Sequence, residues 1–123
     1  MAKYIDICIQ PLPIKNLPHY KKATVQIGKL LLKHGALASY DYVADDDNAK
    51  SLTKSFAKSV KIKKGEVIIV ALAEFKSKAH RDQVFKKMMA DSKMEKIMNP
   101  ETPYMDYKRM IVGGFKNFVS LKK

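Results

Sequence analysis

The alternation of apolar and polar residues predicts a strand at the start of the chain. Over residues 3–10, isoleucines alternate with other side chains. The isoleucines are Ile5, Ile7 and Ile9, and the residues between them include Tyr4, Asp6 and Cys8. Because successive side chains of a strand point to opposite faces, the isoleucines share one face and the other three share the opposite face. Pro11 and Pro13 predict that the strand ends near Gln10.

A helix and a second strand are predicted next. Apolar side chains recur at helical spacing from Leu17 to Leu31. Gly35 predicts the end of this helix, because a glycine readily adopts the left-handed conformation that follows a helix C-terminus. Residues 36–44 are rich in Tyr and Val and predict the second strand.

The third strand is predicted to be the most buried. Residues 48–64 form a polar, lysine-rich connection in which the spacing of Phe56 and Val60 predicts one short helical turn. Glu66–Phe75 follows, with apolar side chains at both odd and even positions. Such a pattern predicts a central strand that is covered on both faces.

The last part of the chain predicts a helix and a final strand. Ser77 is a suitable N-cap for a helix whose apolar stripe runs over residues 81–89. Asp91 and the following serine break this helix and precede a short turn. Residues 109–118 predict the last strand, in which Gly113 and its neighbour Gly114 indicate a bulge or a close backbone approach.

The predicted fold is α+β. Its elements run strand, helix, strand, strand, helix, strand, which is the order of a ferredoxin-like βαββαβ domain with an antiparallel sheet. The helices of such a domain normally cover one face of the sheet. No third long helix is predicted to cover the other face of the apolar third strand, so a second copy of the chain is expected to cover it.

The composition fits one globular domain over residues 1–123, with 46% hydrophobic and 29% charged residues. The longest apolar run, residues 67–73, is far shorter than a membrane-spanning helix, and Asp6 interrupts the segment where a secretory signal would be apolar. A cytoplasmic protein with no membrane partner is therefore expected. Cys8 is the only cysteine, which excludes an intrachain disulfide and a thiolate metal cluster.

The chain is strongly basic, with 24 Lys and Arg against 12 Asp and Glu and a formal charge of +12. Only Arg81 and Arg109 are arginines, and lysine lacks the planar fork that suits phosphate and base recognition. The third strand also lacks the stacking aromatics of RNA-recognition domains. Nucleic-acid association is therefore expected to be weak, nonspecific and sensitive to salt.

The side chains opposite the isoleucines are the candidates for chemistry. If the isoleucine face meets the helices, Tyr4, Asp6 and Cys8 face the interior of a barrel, and Arg109 on the last strand is the expected partner of the Asp6 carboxylate. These four residues are the candidate ligand-binding set. Two readings stay open: a ligand or proton-transfer site, and an ion pair that fixes how strands or protomers meet.

Other residue patterns predict structure rather than chemistry. The acidic run at residues 45–48 lacks the spacing of a calcium loop, and the three histidines form no zinc-binding motif, so no metal site is predicted. No cofactor is implied. Five methionines near helical positions are predicted to fill the core. They are Met88, Met89, Met94, Met98 and Met110.

Two stretches carry a family resemblance. Residues 87–91 (KMMAD) followed by Met94, and residues 108–115 (KRMIVGGF), resemble signature stretches of the YbaA-like bacterial domain of unknown function. The opening Tyr4-Ile5-Asp6 supports this resemblance. It implies membership of the dimeric α/β-barrel superfamily, in which two ferredoxin-like protomers pack their open sheet faces together. It implies no catalytic residue, and the chain differs from its relatives in having no tryptophan.

The leading hypothesis is an uncharacterised cytoplasmic homodimeric α/β-barrel protein that binds a small ligand between its sheets. A first alternative is a cofactor-independent enzyme of monooxygenase or isomerase type, in which Asp6 or Arg109 polarises a small organic substrate. A second alternative is nonspecific association with RNA or other nucleic acid through a basic surface. The residues identify no reaction, so they leave open whether the protein is an enzyme.

Overall fold

The computed structural model describes residues 3–46, 54–97, 106 and 108–123. Four strands and four α-helices lie in these ranges. In chain order they are β1 (Tyr4–Pro13), a 3₁₀ turn (Ile14–Asn16), α1 (Leu17–Lys33), β2 (Ala38–Val43), α2 (Phe56–Val60), β3 (Glu66–Phe75), α3 (Lys78–Met89), α4 (Ser92–Ile97) and β4 (Ile111–Lys116). The predicted order strand, helix, strand, strand, helix, strand is confirmed by β1, α1, β2, β3, α3 and β4. No helix in the described ranges is long and apolar enough to cross a membrane.

The strands form one open antiparallel sheet in the order β2-β3-β1-β4. The central strand β3 pairs along its length with β1, from Tyr4 opposite Phe75 to Pro13 opposite Glu66. On its other side β3 pairs with β2, whose outer edge is unpaired within the described sheet. The predicted bounds of β3 are therefore confirmed, and β2 and β4 are the two edges.

The register assigns each strand residue to one of two sheet faces, because directly opposed residues share a face. Asp6 lies opposite Ala73, and Ser39 lies opposite the same alanine. Tyr4, two residues from Asp6, packs against the core cluster that includes Val84 of α3. The face that carries Tyr4, Asp6 and Cys8 is therefore the face that α1, α3 and α4 cover.

The condition under which Tyr4, Asp6 and Cys8 would face the interior of a barrel, that the isoleucines meet the helices, does not hold. Ile5, Ile7 and Ile9 lie on the opposite face, which we call the open face. Alternation in a strand separates two faces but does not say which of them a helix covers, and here the helices pack on the face with smaller and more polar residues. The other strand residues of the open face include Tyr40, Tyr42, Val70, Leu72, Ile111 and Phe115.

The first strand also continues farther than predicted. Its pairing with β4 stops at Ile9, whereas its pairing with β3 continues to Pro13. Beyond Ile9 the β4 side of β1 has no partner strand among the described residues. Prolines are tolerated where a strand has a free edge, because the missing N–H then removes no ladder hydrogen bond. Pro11 and Pro13 lie in this stretch.

The helix boundaries follow from local chemistry, as predicted. Pro18 lies in the first turn of α1, where its missing N–H costs no intrahelical hydrogen bond. The helix ends at Lys33, and Gly35 has a φ of 117°. The Ser77 side chain accepts a hydrogen bond from the backbone N–H of His80 and caps α3.

The main core lies between the helices and the sheet. Its buried residues are Leu30, Leu31, Ala36, Ala73, Phe75, Val84, Met88 and Met94. The prediction that Met88 and Met94 fill the core is therefore confirmed. The prediction that Met89 fills the core is wrong, because Met89 lies on the outer side of α3 and is 64% exposed. Met110 is half-buried, and Met98 lies outside the described residues.

Candidate ligand-binding site

Asp6 pairs with an arginine of α3 rather than with the predicted partner on the last strand. The Arg81 guanidinium donates from Nη1 to Asp6 Oδ1 at 2.5 Å and from Nε to Asp82 Oδ1 at 2.7 Å. Its carbon lies 5.2 Å from the centre of the Tyr4 ring and 5.6 Å from that of Phe85. The cation is held between two aromatic rings and two carboxylates, which joins α3 to β1.

Burial and pairing with Arg81 shift the pKa of the Asp6 carboxyl in opposite directions. Removal from water disfavours its charged form, whereas the hydrogen bond and charge of Arg81 favour that form. Burial is the larger effect, so the pKa of Asp6 lies above its usual value. The ion pair therefore compensates only part of the cost of placing this carboxylate between helix and sheet.

Arg109 lies at a different place and holds different partners. Its Nη1 and Nη2 donate to the two carboxylate oxygens of Glu66, each at 2.7 Å, and its Nε donates to Asp106 at 2.8 Å. Nη1 also donates to the Lys61 carbonyl oxygen at 3.2 Å. This fork joins the segment before β4 to the start of β3. The predicted pair of Asp6 with Arg109 is wrong, and the four candidate residues do not form one cluster.

A second polar network lies between α1 and the sheet. Tyr20 and Thr24 of α1 donate their hydroxyl hydrogens to the two Asp41 oxygens of β2, at 2.8 and 2.7 Å. The Gln10 amide nitrogen approaches the Tyr20 oxygen at 3.4 Å. Burial, together with the Asp41 charge, raises the pKa of Tyr20 above its usual range. Tyr20 therefore stays protonated and remains a hydrogen-bond donor.

One acceptor in this network is left over. The Gln10 side chain is buried, and its Oε1 atom has no hydrogen-bond partner within the described part of the chain. A buried polar atom without a partner costs free energy, so such atoms are uncommon in native folds. The Gln10 Oε1 atom is therefore an acceptor that a donor could still satisfy.

A groove of about 810 Å³ runs between α1 and the edge strand β2. Apolar side chains such as Val25, Leu32 and Val43 form most of its walls, and the Tyr20–Thr24–Asp41 network lies within it. Gly28 leaves space in its floor, because a Cβ there would lie 3.4 Å from Ser39 Oγ. Groove volumes of this size with a few converging polar groups are typical of small-molecule sites.

A smaller cavity of about 160 Å³ adjoins the groove. The two share Thr24, Ser39 and Asp41 as lining residues, and Asp6 and Cys8 line the inner cavity. Two of the four predicted candidates therefore line a hollow on the helix-covered face. Tyr4 lies beside it against Arg81, and Arg109 lies elsewhere.

The groups that line these hollows include a thiol, two hydroxyls and carboxylates. Burial raises the pKa of the Cys8 thiol to about 11, so the thiol is protonated at neutral pH and a poor nucleophile. The described residues contain no group of three or more His, Cys, Asp or Glu side chains that could hold a metal ion. The groove offers an apolar wall, the Asp41 carboxylate with its two hydroxyl donors, and the side chains of Lys21, Lys29 and Ser39.

The sequence pattern does not reveal Arg81 as the partner of Asp6, nor Asp41, Tyr20 and Gln10 as members of one polar network. Tyr20 and Thr24 fall on the predicted apolar stripe of α1, where a hydroxyl at helical spacing signals a buried polar group. Asp41 alternates with Tyr40 and Tyr42 in the second strand. This alternation does not say whether Asp41 or the two tyrosines lie on the face that the helices cover.

Comparisons with known proteins give a family but no activity. The model of the family described as "Protein of unknown function (DUF1428)" matches residues 3–106. The uncharacterized protein YbaA of Escherichia coli (strain K12) and that of Shigella flexneri are each 30% identical over 117 residues, covering 95% of this chain and 97% of the relative. The de novo designed protein Foldit4 covers 98% of this chain with a TM-score of 0.44 and 9% identity, a likeness too loose to bear on fold or function.

Proposed function

Since the chain belongs to the DUF1428 family of proteins of unknown function, we propose that it is a homodimeric small-molecule-binding protein whose ligand occupies the groove between α1 and β2. The observation that carries the proposal is the groove itself, an apolar hollow of about 810 Å³ that contains the Asp41 carboxylate and its two hydroxyl donors. This position differs from the space between two sheets that the sequence predicted.

The groove favours an amphipathic ligand with a hydrogen-bond-donating end. Its apolar wall suits an aliphatic or aromatic body, because burying that surface supplies most of the binding free energy. Asp41 already accepts one hydroxyl hydrogen on each oxygen and can accept further hydrogen bonds. An amine or alcohol therefore fits the Asp41 end of the groove better than a carboxylate does. Lys21 and Lys29 also line the groove, and a larger shift with octanoate would place the polar end of the ligand at these lysines instead.

The ligand proposal is tested with octylamine, octanol and octanoate as probes. We expect octylamine and octanol to raise the melting temperature, since a ligand that binds the native state stabilises it, and octanoate to raise it least. Gly28→Leu places a side chain in the groove and should abolish the shift. Lys22→Leu adds the same side chain at an exposed position of α1 outside the groove and should retain it. Equal shifts in both variants would contradict the proposed position.

The homodimer is supported by the open face. Its apolar residues extend across all four strands, and Tyr42, Ile111 and Phe115 are each about half exposed. The four strands place no lysine or arginine on this face, although the chain as a whole carries a charge of +12. Two copies can therefore approach face to face where repulsion between their charges is weakest.

The dimer is tested by light scattering during dilution, with a matched pair of charge insertions in β4. Phe115→Lys places a cation on the open face, and Val112→Lys places one on the other face, where Val112 is 65% exposed. We expect the parent and Val112→Lys to be dimers and Phe115→Lys to be a monomer of 14.0 kDa. A monomeric parent at micromolar concentration would refute this part of the proposal.

The two alternatives have weaker support. A monooxygenase-like or isomerase-like enzyme needs a poised acid, base or nucleophile, whereas Asp6 is engaged by Arg81 and the Cys8 thiol is protonated. Nucleic-acid association is supported by net charge alone. Arg109, one of the two arginines, is engaged by Glu66 and Asp106.

A further inference from the structure

The helix layer carries another hollow, which lies between α1 and α4. Its volume is about 290 Å³, and its lining consists of two apolar residues, one glutamine and four lysines. They are Leu30, Ile97, Gln26, Lys29, Lys33, Lys93 and Lys96. We call this site the basic hollow, because no described acidic side chain lines it.

The two helices bring these lysines to one place. Lys29 and Lys33 are four residues apart on α1, so they share one face of that helix. Lys93 and Lys96 are three residues apart on α4 and share a face in the same way. Buried residues of both helices belong to the main core, which packs α4 beside α1. Each helix therefore contributes one pair of cations to the hollow.

Asp91 fastens the start of α4 to the end of α1. Its Oδ1 atom accepts a hydrogen bond from the Lys93 backbone N–H at 2.9 Å. Its Oδ2 atom accepts one from Lys33 Nζ at 3.1 Å and lies 2.9 Å from His34 Nε2. Because these contacts join the backbone of one helix to side chains of the other, the walls of the basic hollow are held in place before any ligand enters.

The charges in the basic hollow are not balanced. Of its four lysines, Lys33 alone has an ion-pair partner in the described part of the chain, the Asp91 carboxylate. Helix α1 contains no Asp or Glu at all. Like charges three or four residues apart on a helix repel each other and destabilise it. An anion with several negative charges would remove this repulsion and bind several ammonium groups at once.

We propose that the basic hollow binds a small compound that carries two phosphate groups. Lysine binds phosphate as a point charge and does not need the planar geometry of an arginine pair. One phosphate monoester carries roughly −1.5 to −2 charges at pH 7, so two such groups match the three lysines without an ion-pair partner. Leu30 and Ile97 offer apolar surface to the rest of the compound.

This site is separate from the ligand site of the groove, although Lys29 lines both. The proposed dimer contact lies on the opposite side of the sheet and leaves the basic hollow accessible. Neither the groove ligand nor the dimer is needed for the proposal.

The first experiment is calorimetric titration at physiological salt with inorganic pyrophosphate and with inorganic phosphate. We expect pyrophosphate to bind once per chain and phosphate to bind roughly tenfold more weakly or not at all, because phosphate engages fewer ammonium groups. A parent protein that does not bind pyrophosphate would refute the proposal.

The second experiment locates the anion with two matched double variants. Lys93→Gln with Lys96→Gln removes two cations from the basic hollow and should weaken pyrophosphate binding roughly tenfold or more. Lys86→Gln with Lys87→Gln removes the same charge from exposed positions of α3 outside the hollow and should bind like the parent. Both variants should keep the melting shift with octylamine, since none of these lysines lines the groove. Failure here is therefore distinct from failure of the groove proposal.

The third experiment places the missing charge in the protein itself. Gln26→Glu adds a carboxylate of the same shape to the basic hollow. We expect this variant to melt at a higher temperature than the parent, because the carboxylate neutralises nearby lysines, and to bind pyrophosphate more weakly. Equal weakening by both lysine pairs would mean that overall charge alone attracts the anion, which overturns the site. A single-stranded oligonucleotide that displaces pyrophosphate and binds more tightly would assign the hollow to a nucleic-acid backbone instead.

Discussion

Replacing Arg81 by methionine tests whether the ion pair with Asp6 joins α3 to the sheet. Methionine keeps an apolar side chain of similar reach between the Tyr4 and Phe85 rings but removes the guanidinium. The charge-assisted hydrogen bond to Asp6 contributes roughly 1.5 to 3 kcal/mol, and each cation–ring contact roughly 0.5 to 1 kcal/mol. Because these contributions overlap, we expect a loss of about 2 to 4 kcal/mol in unfolding free energy at pH 7.

The loss should depend on pH in a defined direction. The pKa of Asp6 in the fold already lies above the ordinary 3.8, and Arg81 lowers it, so removing Arg81 raises it further. A carboxyl whose pKa is raised by folding favours the native state while it is protonated, and this contribution is lost as pH rises from about 4 through the folded pKa. Arg81→Met should therefore cost more at pH 7 than at pH 4.

Urea unfolding measures the loss in unfolding free energy and its dependence on pH. It is monitored by circular dichroism at one fixed chain concentration. Lys86→Met removes an exposed cation from the same helix and should change little. In an Asp6→Asn background, Arg81→Met should cost less, because no buried carboxylate is left unpaired. If its cost is equal at both pH values and in both backgrounds, Asp6 and Arg81 are not coupled and the account of this pair fails.

Three smaller predictions concern single positions. Gly28→Ala should raise the unfolding free energy by about 0.5 to 1 kcal/mol in chemical denaturation, because alanine favours helix and its Cβ meets Ser39 at an ordinary 3.4 Å. Asp91→Ala should melt earlier than the parent at pH 7, because hydrogen bonds from the backbone N–H of Lys93, the His34 ring and the Lys33 ammonium lower the pKa of Asp91. The difference should shrink as pH falls below 3.8, and a constant difference would contradict this. Cys8 should react with iodoacetamide far more slowly at pH 8 in the native protein than in urea, because burial raises its pKa to about 11; equal rates would count against it.

The order of the elements could be predicted because each boundary has a local chemical cause. Gly35 follows the end of α1, Ser77 caps α3, and β3 has the predicted bounds Glu66–Phe75. These signals act over a few residues and do not need the rest of the fold. The close approach predicted at the glycine pair is also present, since a Cβ on Gly114 would overlap the Tyr4 hydroxyl.

The candidate site could not be predicted to the same degree, because its contacts join distant parts of the chain. Arg81 lies 75 residues from Asp6, and nothing local distinguishes it from Arg109 as a partner. The choice depends on which face of β1 the helices cover. The alternation of Ile5, Ile7 and Ile9 with polar residues is compatible with either face, so one wrong assignment moved the whole predicted site to the wrong side of the sheet.

The arrangement of the two faces links the groove to self-association. On the helix-covered face, small residues such as Ala71, Ala73 and Gly28 keep space between helix and sheet, and polar side chains line the hollows that remain. The three isoleucines of β1 lie on the other face. If a second copy buries that face, as proposed, the groove stays accessible, because it lies between α1 and β2 on the side away from that contact. A dimer of this kind presents two independent grooves, and ligand binding should therefore leave the dimer dissociation constant unchanged.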